Sequence, residues 1–100
     1  GCGRTAPLLQ HLVVSQFVTT GVGVDLAPDF NVQTDRLKLL KADLNQTLPI
    51  ATGSVDLVLS LAVIEHLTEP NLHLSEIHRI LKPGGTLLLT TPSPLGKPVL

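Results

Sequence analysis

The sequence contains no tryptophan, tyrosine or methionine, and its only aromatic residues are Phe17 and Phe30. Its core must therefore be assembled from Leu, Val, Ile and Ala, which suits parallel strands covered on both faces by helices. Charge is scarce as well: 15% of residues are charged, seven basic and eight acidic, for a net charge of −1. That leaves no basic face for nucleic acid and no polybasic segment for a membrane surface. No apolar run approaches the roughly 18 residues of a membrane span. The amino terminus lacks the basic-then-apolar order of a secretory signal. Cys2 is the only cysteine, so no internal disulfide can form and a reducing, cytoplasmic setting is expected. The four histidines have no metal-ligand spacing, and no metal is expected. Methionine is absent even at position 1, which implies a processed start or an internal piece of a longer chain.

What is present is a chain built to bury surface. A hydrophobic content of 43% in 100 residues suits one small domain rather than a disordered tail. No repeat or linker interrupts it, and the elements alternate. Leu8, Leu9, Leu12, Val13 and Phe17 recur at helical spacing and predict a helix from Thr5 to about Phe17, with Pro7 tolerated in its first turn. Gly21–Val24 reads as a short buried strand ending on Asp25, and Leu37–Ala42 as a second strand followed by Asp43. Between them, Pro28, Asp29, Asn31 and Asp35 favour turns, with at most one turn of helix. Val55–Leu61 predicts a third strand. Glu69-Pro70 opens a second helix, with Leu74, Ile77, Ile80 and Leu81 expected inside and His73, Glu76 and Arg79 outside. Lys82-Pro83-Gly84-Gly85 should end it, and Thr86–Thr91 should form a fourth strand before Pro92, Pro94 and Pro98. Strands alternating with helices imply an α/β fold with a doubly wound, mainly parallel sheet. Such sheets bind ligands beyond the carboxyl ends of their strands, and Asp25, Asp43 and Ser60-Leu61 all fall at or near such ends.

The chemistry follows from those positions. Gly1-Cys2-Gly3 shortly precedes a helix, so glycine lets the backbone turn sharply while the helix amino end presents unpaired N–H groups to an anion. Asp25 follows this loop by about twenty residues, where a carboxylate is placed to accept hydrogen bonds from a ribose diol. An ordinary tight loop and an Asx-turn before Pro28 would explain the same residues. Gly1, Gly3 and Ala6 also satisfy G-x-G-x-x-A, so on these residues alone a dinucleotide-binding oxidoreductase stays open.

Six segments together narrow the choice: Gly1-Cys2-Gly3, Gly23–Leu26, Ala42-Asp43-Leu44, Ser54–Val58, Ile64–Leu67 and Glu76–Gly85. In this order they resemble a class I S-adenosylmethionine-dependent methyltransferase of the broad small-molecule group. The resemblance spans nearly the whole chain, and the Leu81–Gly85 turn is its most specific piece. It implies S-adenosylmethionine as cofactor and an unidentified acceptor, a small molecule or glycan-type compound. It implies that Asp25, with Leu26 beside it, holds the ribose hydroxyls, and that Asp43 accepts from the adenine amino group while the Leu44 amide faces the ring. Ser60 and Leu61 would bring backbone groups to the methionine end, and the helix after Gly1, Cys2 and Gly3 would face the methionine carboxylate. His66 would assist deprotonation or line the acceptor pocket, or merely pack on a short helix. Cys2 would be a small loop residue and not a nucleophile, and Asp56 structural.

The sequence also departs from that family pattern. Thr5 stands where a further glycine is usual, and the helix after Asp25 is reduced to little more than a loop. The family's first strand, which normally precedes the glycine loop and lies between the strands ending at Asp25 and near Leu61, is not in the chain. Those two strands are therefore expected to lack a shared partner. A truncated or non-catalytic methyltransferase-like module is the alternative these departures suggest.

Overall fold

The computed structural model describes residues 1–91, and the chain divides into two units, Gly1–Asp43 and the residues from Leu44 onward. Pro92, Pro94 and Pro98 lie outside the described residues.

In the first unit, helix α1 (Pro7–Val14) packs on a two-stranded parallel sheet of β1 (Gly21–Asp25) and β2 (Leu37–Lys41). α1 is shorter than its apolar spacing predicts: Gln16 adopts a positive φ of 61° and Phe17 is left 74% exposed. Position 16 leaves the helical region, and the apolar run beyond it no longer belongs to the helix. The buried side chains of this unit are Ala6, Val13, Pro28, Leu37 and Leu39. Gly21 and Gly23 alternate on β1 and are both buried. A Cβ at Gly21 would come within 2.6 Å of Leu9, and one at Gly23 within 2.8 Å of both Cys2 Sγ and Leu39 Cδ2. The bare strand lets α1 and the amino-terminal loop approach closely. The segment between β1 and β2 holds one 3-10 turn, Phe30–Val32, with Asp29 accepting from the Asn31 N–H at 3.0 Å, as its turn-forming residues predict.

In the second unit, β3 (Val55–Leu61) pairs in parallel with β4 (Leu81–Thr90), and α2 (Pro70–Ile80) connects them. β4 starts five residues earlier than the sequence suggests, because Leu81 already pairs with Val55 before the register shifts and Thr86 pairs with Leu57. The Lys82–Gly85 turn thus lies inside the strand as a bulge, with Gly84 at φ 80°. Among the described residues β1 pairs with β2 and β3 with β4, in two separate two-stranded sheets.

The helical face of α2 corrects the sequence expectation. His73, Glu76, Ile77 and Ile80 are the buried residues, whereas Leu74 is 39% exposed. The stripe at i, i+3, i+4 and i+7 is a proper core face, but two of its members are polar and buried because each finds a partner. Arg79, also expected outside, is half-buried and donates to Glu76 Oε2 at 2.7 Å and to the Leu48 carbonyl at 3.0 Å. Among the described residues no helix is long and apolar enough to cross a membrane.

Candidate functional site

The first unit gathers the glycine loop and two acids at one edge of its sheet. The register sets Asp25 opposite Lys41, and the Ala42 N–H extends the ladder to the Asp25 carbonyl at 3.1 Å. Asp43 therefore lies just past the edge where β1 ends. At the same edge the Cys2 N–H donates to the Val24 carbonyl at 2.8 Å, so the loop crosses the carboxyl end of β1. The Asp29 N–H donates to the Arg4 carbonyl at 2.7 Å and ties the segment after Asp25 to the loop. Gly1, Cys2, Gly3, Asp25 and Asp43 are thus brought together, as their spacing suggested. Leu26, next to Asp25, is 64% exposed.

The loop's backbone explains its residue types. Gly3 has φ 83°, a left-handed conformation that glycine adopts without cost. Thr5, where the family pattern has glycine, is not among the positive-φ residues; Ala6 is, at φ 48° and fully buried. The second left-handed residue of the loop, after Gly3, is thus Ala6, the smallest residue with a Cβ. Ala6 occupies the cap position of α1 and offers no side-chain cap, and Pro7 supplies no N–H. The amino end of α1 keeps its dipole and donors for a group from outside the helix.

Asp25 is half-buried. Its Oδ2 accepts from the Ala27 N–H at 3.1 Å, the Asx-turn bond, while Oδ1 lies 3.9 Å from the Gly1 amino group in an ion pair. Burial pushes the Cys2 thiol above its ordinary range, so at neutral pH it is a thiol packed on Gly23, without nucleophilic character. A groove of about 330 Å³, lined by Val13, Val32, Thr34 and Leu37 among others, lies at the amino end of β2 and takes in none of the predicted site residues. That is the wrong end of a parallel sheet for a ligand site.

In the second unit the carboxyl end of β3 carries Ser60 and Leu61, and the chain then turns sharply: Ala62 has φ 55°. A non-glycine residue in that region is strained. It is held by two bonds from its N–H to Thr90, one to the carbonyl and one to Oγ1, both 3.0 Å. Ser60 is 4% exposed, and its hydroxyl lies 3.0 Å from His73 Nε2. Leu44 is half-buried at the start of this unit. His66 follows β3 on a 3-10 turn, Ile64–His66, with its side chain 79% exposed. Its neighbour Glu65, for which the sequence offers no role beyond the family pattern, accepts from the Thr91 hydroxyl at 2.8 Å and joins the segments that follow β3 and β4. Asp56, at the opposite end of β3, makes an exposed ion pair with Lys82 at 3.3 Å, in keeping with a structural role.

Sequence reasoning missed the supporting residues. Glu76 accepts from the Leu48 N–H at 2.7 Å and from Arg79, and Arg79 also reaches Thr52 Oγ1 at 3.1 Å, so the pair pins the loop between β2 and β3. Hydrogen bonds from Arg79 hold the Glu76 carboxyl below the usual carboxylate range. Burial lowers the His73 imidazole below its ordinary value, which keeps it neutral near pH 7. The available signal was positional: residues 73 and 76 share the i, i+3, i+4, i+7 face with Ile77 and Ile80.

The methyltransferase domain family model matches residues 1–89. A probable S-adenosylmethionine-dependent methyltransferase of Mycolicibacterium smegmatis is 46% identical over 46 residues, covering 46% of this chain and 18% of that protein. Among solved structures, the methyltransferase in complex with the Haloferax volcanii Trm112 methyltransferase activator superposes with a TM-score of 0.75. It is 32% identical, with 88% of this chain and 41% of that chain covered. The S-adenosylmethionine-dependent methyltransferase of Mesorhizobium loti has a TM-score of 0.80 at 22% identity, over 95% and 45% of the two chains. The chain therefore spans about a fifth of that curated relative and under half of these solved chains.

Proposed function

The chain belongs to the methyltransferase domain family, a membership that assigns it a Rossmann-like α/β core and S-adenosylmethionine as cofactor; on that premise we propose that the intact protein transfers a methyl group from S-adenosylmethionine to a small-molecule or glycan-type acceptor. One observation carries the reading. The glycine loop, the uncapped amino end of α1 and the Asp25 carboxylate meet at the carboxyl edge of one parallel sheet. That donor and acceptor set fits a zwitterionic nucleoside. Helix donors suit a carboxylate, and a carboxylate at the end of a strand suits a ribose diol.

In this reading Asp25 binds the ribose hydroxyls, with Leu26 beside it. Asp43 accepts from the adenine amino group, and the Leu44 amide faces the ring. Gly1, Cys2 and Gly3 let the backbone pass close to the methionine end, and Ser60 and Leu61 are assigned backbone contacts to the cofactor. When bound, the sulfonium supplies an already activated methyl group. The chain's residues then have to orient the reactants in line and exclude water, by proximity rather than by strong acid or base chemistry. His66, open to solvent, is assigned no step.

Calorimetric titration of the intact protein with S-adenosylhomocysteine tests the proposal. Saturable binding is expected, with transfer of label from methyl-labelled S-adenosylmethionine to a fraction of small-molecule acceptors. No saturable heat at millimolar ligand would overturn it.

A further inference from the structure

The buried imidazole of His73 has no part in the chemistry above, yet its surroundings are unusual for a core position. It is 4% exposed, as is Ser60, and the two side chains are linked at 3.0 Å through Nε2. Nδ1 is buried and meets no partner with full hydrogen-bond geometry, although the Leu44 backbone acts on the ring. A leucine would fill such a site without burying a nitrogen that lacks a well-placed partner, so packing alone does not explain the residue.

The position of α2 supplies an explanation. The Thr68 and Glu69 N–H groups, just before the helix, donate to Asn45 Oδ1 at 2.8 and 3.0 Å. One turn later the His73 N–H donates to the Glu69 carbonyl at 3.1 Å, and its ring reaches Ser60. A single helix end therefore braces two segments at once: Leu44-Asn45 after β2, and Ser60-Leu61 at the end of β3. On the far side of Ser60 the strained Ala62 is held by Thr90. Strained backbone persists only where its surroundings over-determine it, and here the turn is gripped from the helix side and the strand side.

We propose that His73 is a positioning residue that, through the Ser60 hydroxyl, fixes the Ser60–Ala62 turn so that its backbone groups are pre-aligned for the cofactor. This rests on the reading of Ser60 and Leu61 given above. The division of labour is consistent with it: the Ser60 side chain serves His73, which leaves the backbone of the turn for a ligand. Pre-alignment contributes to affinity by lowering the ordering cost of binding.

The test compares S-adenosylhomocysteine affinity of the intact wild-type protein with His73→Leu, His73→Gln, Ser60→Ala and the Ser60→Ala/His73→Leu double variant. His73→Leu and Ser60→Ala should each weaken binding about tenfold, the scale of one net hydrogen bond. The double variant should be no weaker than either single one, and His73→Gln, which keeps a side-chain partner for Ser60, should recover most of the loss. Imidazole ¹⁵N shifts of His73 should report a neutral ring bonded through Nε2 and should move on ligand addition. Wild-type binding with Ser60→Ala unchanged within twofold, additive losses, or no recovery in His73→Gln would overturn the inference and leave the functional reading intact. Absence of wild-type binding would remove both. Should His73→Leu fail to fold, Ser60→Ala and the ¹⁵N shifts decide the matter.

Discussion

Replacing Gly23 with alanine probes the contact on which the glycine loop depends. The added methyl would lie 2.8 Å from Cys2 Sγ and 2.8 Å from Leu39 Cδ2, with Cys2 Cβ at 3.3 Å. Carbon and sulfur do not approach so closely without displacement. Leu39 has little room to yield, since it is 2% exposed. Cys2 is only half-buried but is anchored by its own N–H to Val24 at 2.8 Å. Overpacking of this kind costs about 1–3 kcal/mol. Alanine also restricts the unfolded chain, which offsets about 0.4–1 kcal/mol. A net loss of about 1–2 kcal/mol is expected, read as a lower urea midpoint at an unchanged denaturant slope. Cys2→Ala in the same background removes the sulfur but not the Leu39 contact, so it should restore part of the loss and no more. Gly53→Ala serves as the contrast: nothing lies within 4 Å of its Cβ, and its cost should come from the left-handed backbone alone. If Gly23→Ala proves as stable as wild type, or if Cys2→Ala leaves its loss untouched, the close packing of the loop on β1 is wrong.

Other consequences can be measured on the same protein. Asp25→Ala should weaken S-adenosylhomocysteine binding by on the order of tenfold or more, the scale of a charge-assisted bond; an unchanged dissociation constant would refute the ribose role. Asp25→Asn, which keeps a side-chain acceptor for the Ala27 N–H, separates that role from loop stability. The depressed Glu76 carboxyl contributes stability that is complete above its unfolded value near about 4.3 and is lost as pH falls through the folded value. Glu76→Gln should therefore flatten the acid limb of the unfolding curve, and an unaltered limb counts against the Arg79 pairing. Burial likewise depresses the folded pKa of His73, so its contribution is present above about pH 6.5 and declines as pH falls from there. His73→Gln should reduce the stability slope between about pH 7 and 5; an unchanged slope would count against a neutral buried His73.

Much of the architecture was legible without coordinates. Val55–Leu61 forms the strand its apolar run predicts, β1 ends at Asp25, and α2 runs from Pro70 to within a residue of the predicted inner position Leu81. Such features are local: an aliphatic run, a proline in a first turn, a glycine at a positive φ. Ends set by nonlocal contacts were less legible. Leu81 joins β4 because Val55 is there to pair with it, and α1 stops early although its apolar spacing continues to Phe17. The left-handed backbone of Ala6, at the cap of α1, is likewise not written in its residue type.

The sequence by itself determined the α/β class, because strands, helix starts and turns are encoded within a few residues of one another, and its ordered motifs carried the resemblance to the family. Only the tertiary structure decided which polar groups of α2 face inward. His73 meets a serine 13 residues before it, and Glu76 a backbone amide 28 residues before it. Periodicity reports that a position faces another element. It carries no record of whether that element offers a hydrogen-bond partner, and it is the partner that makes burial of an imidazole or a carboxylate tolerable.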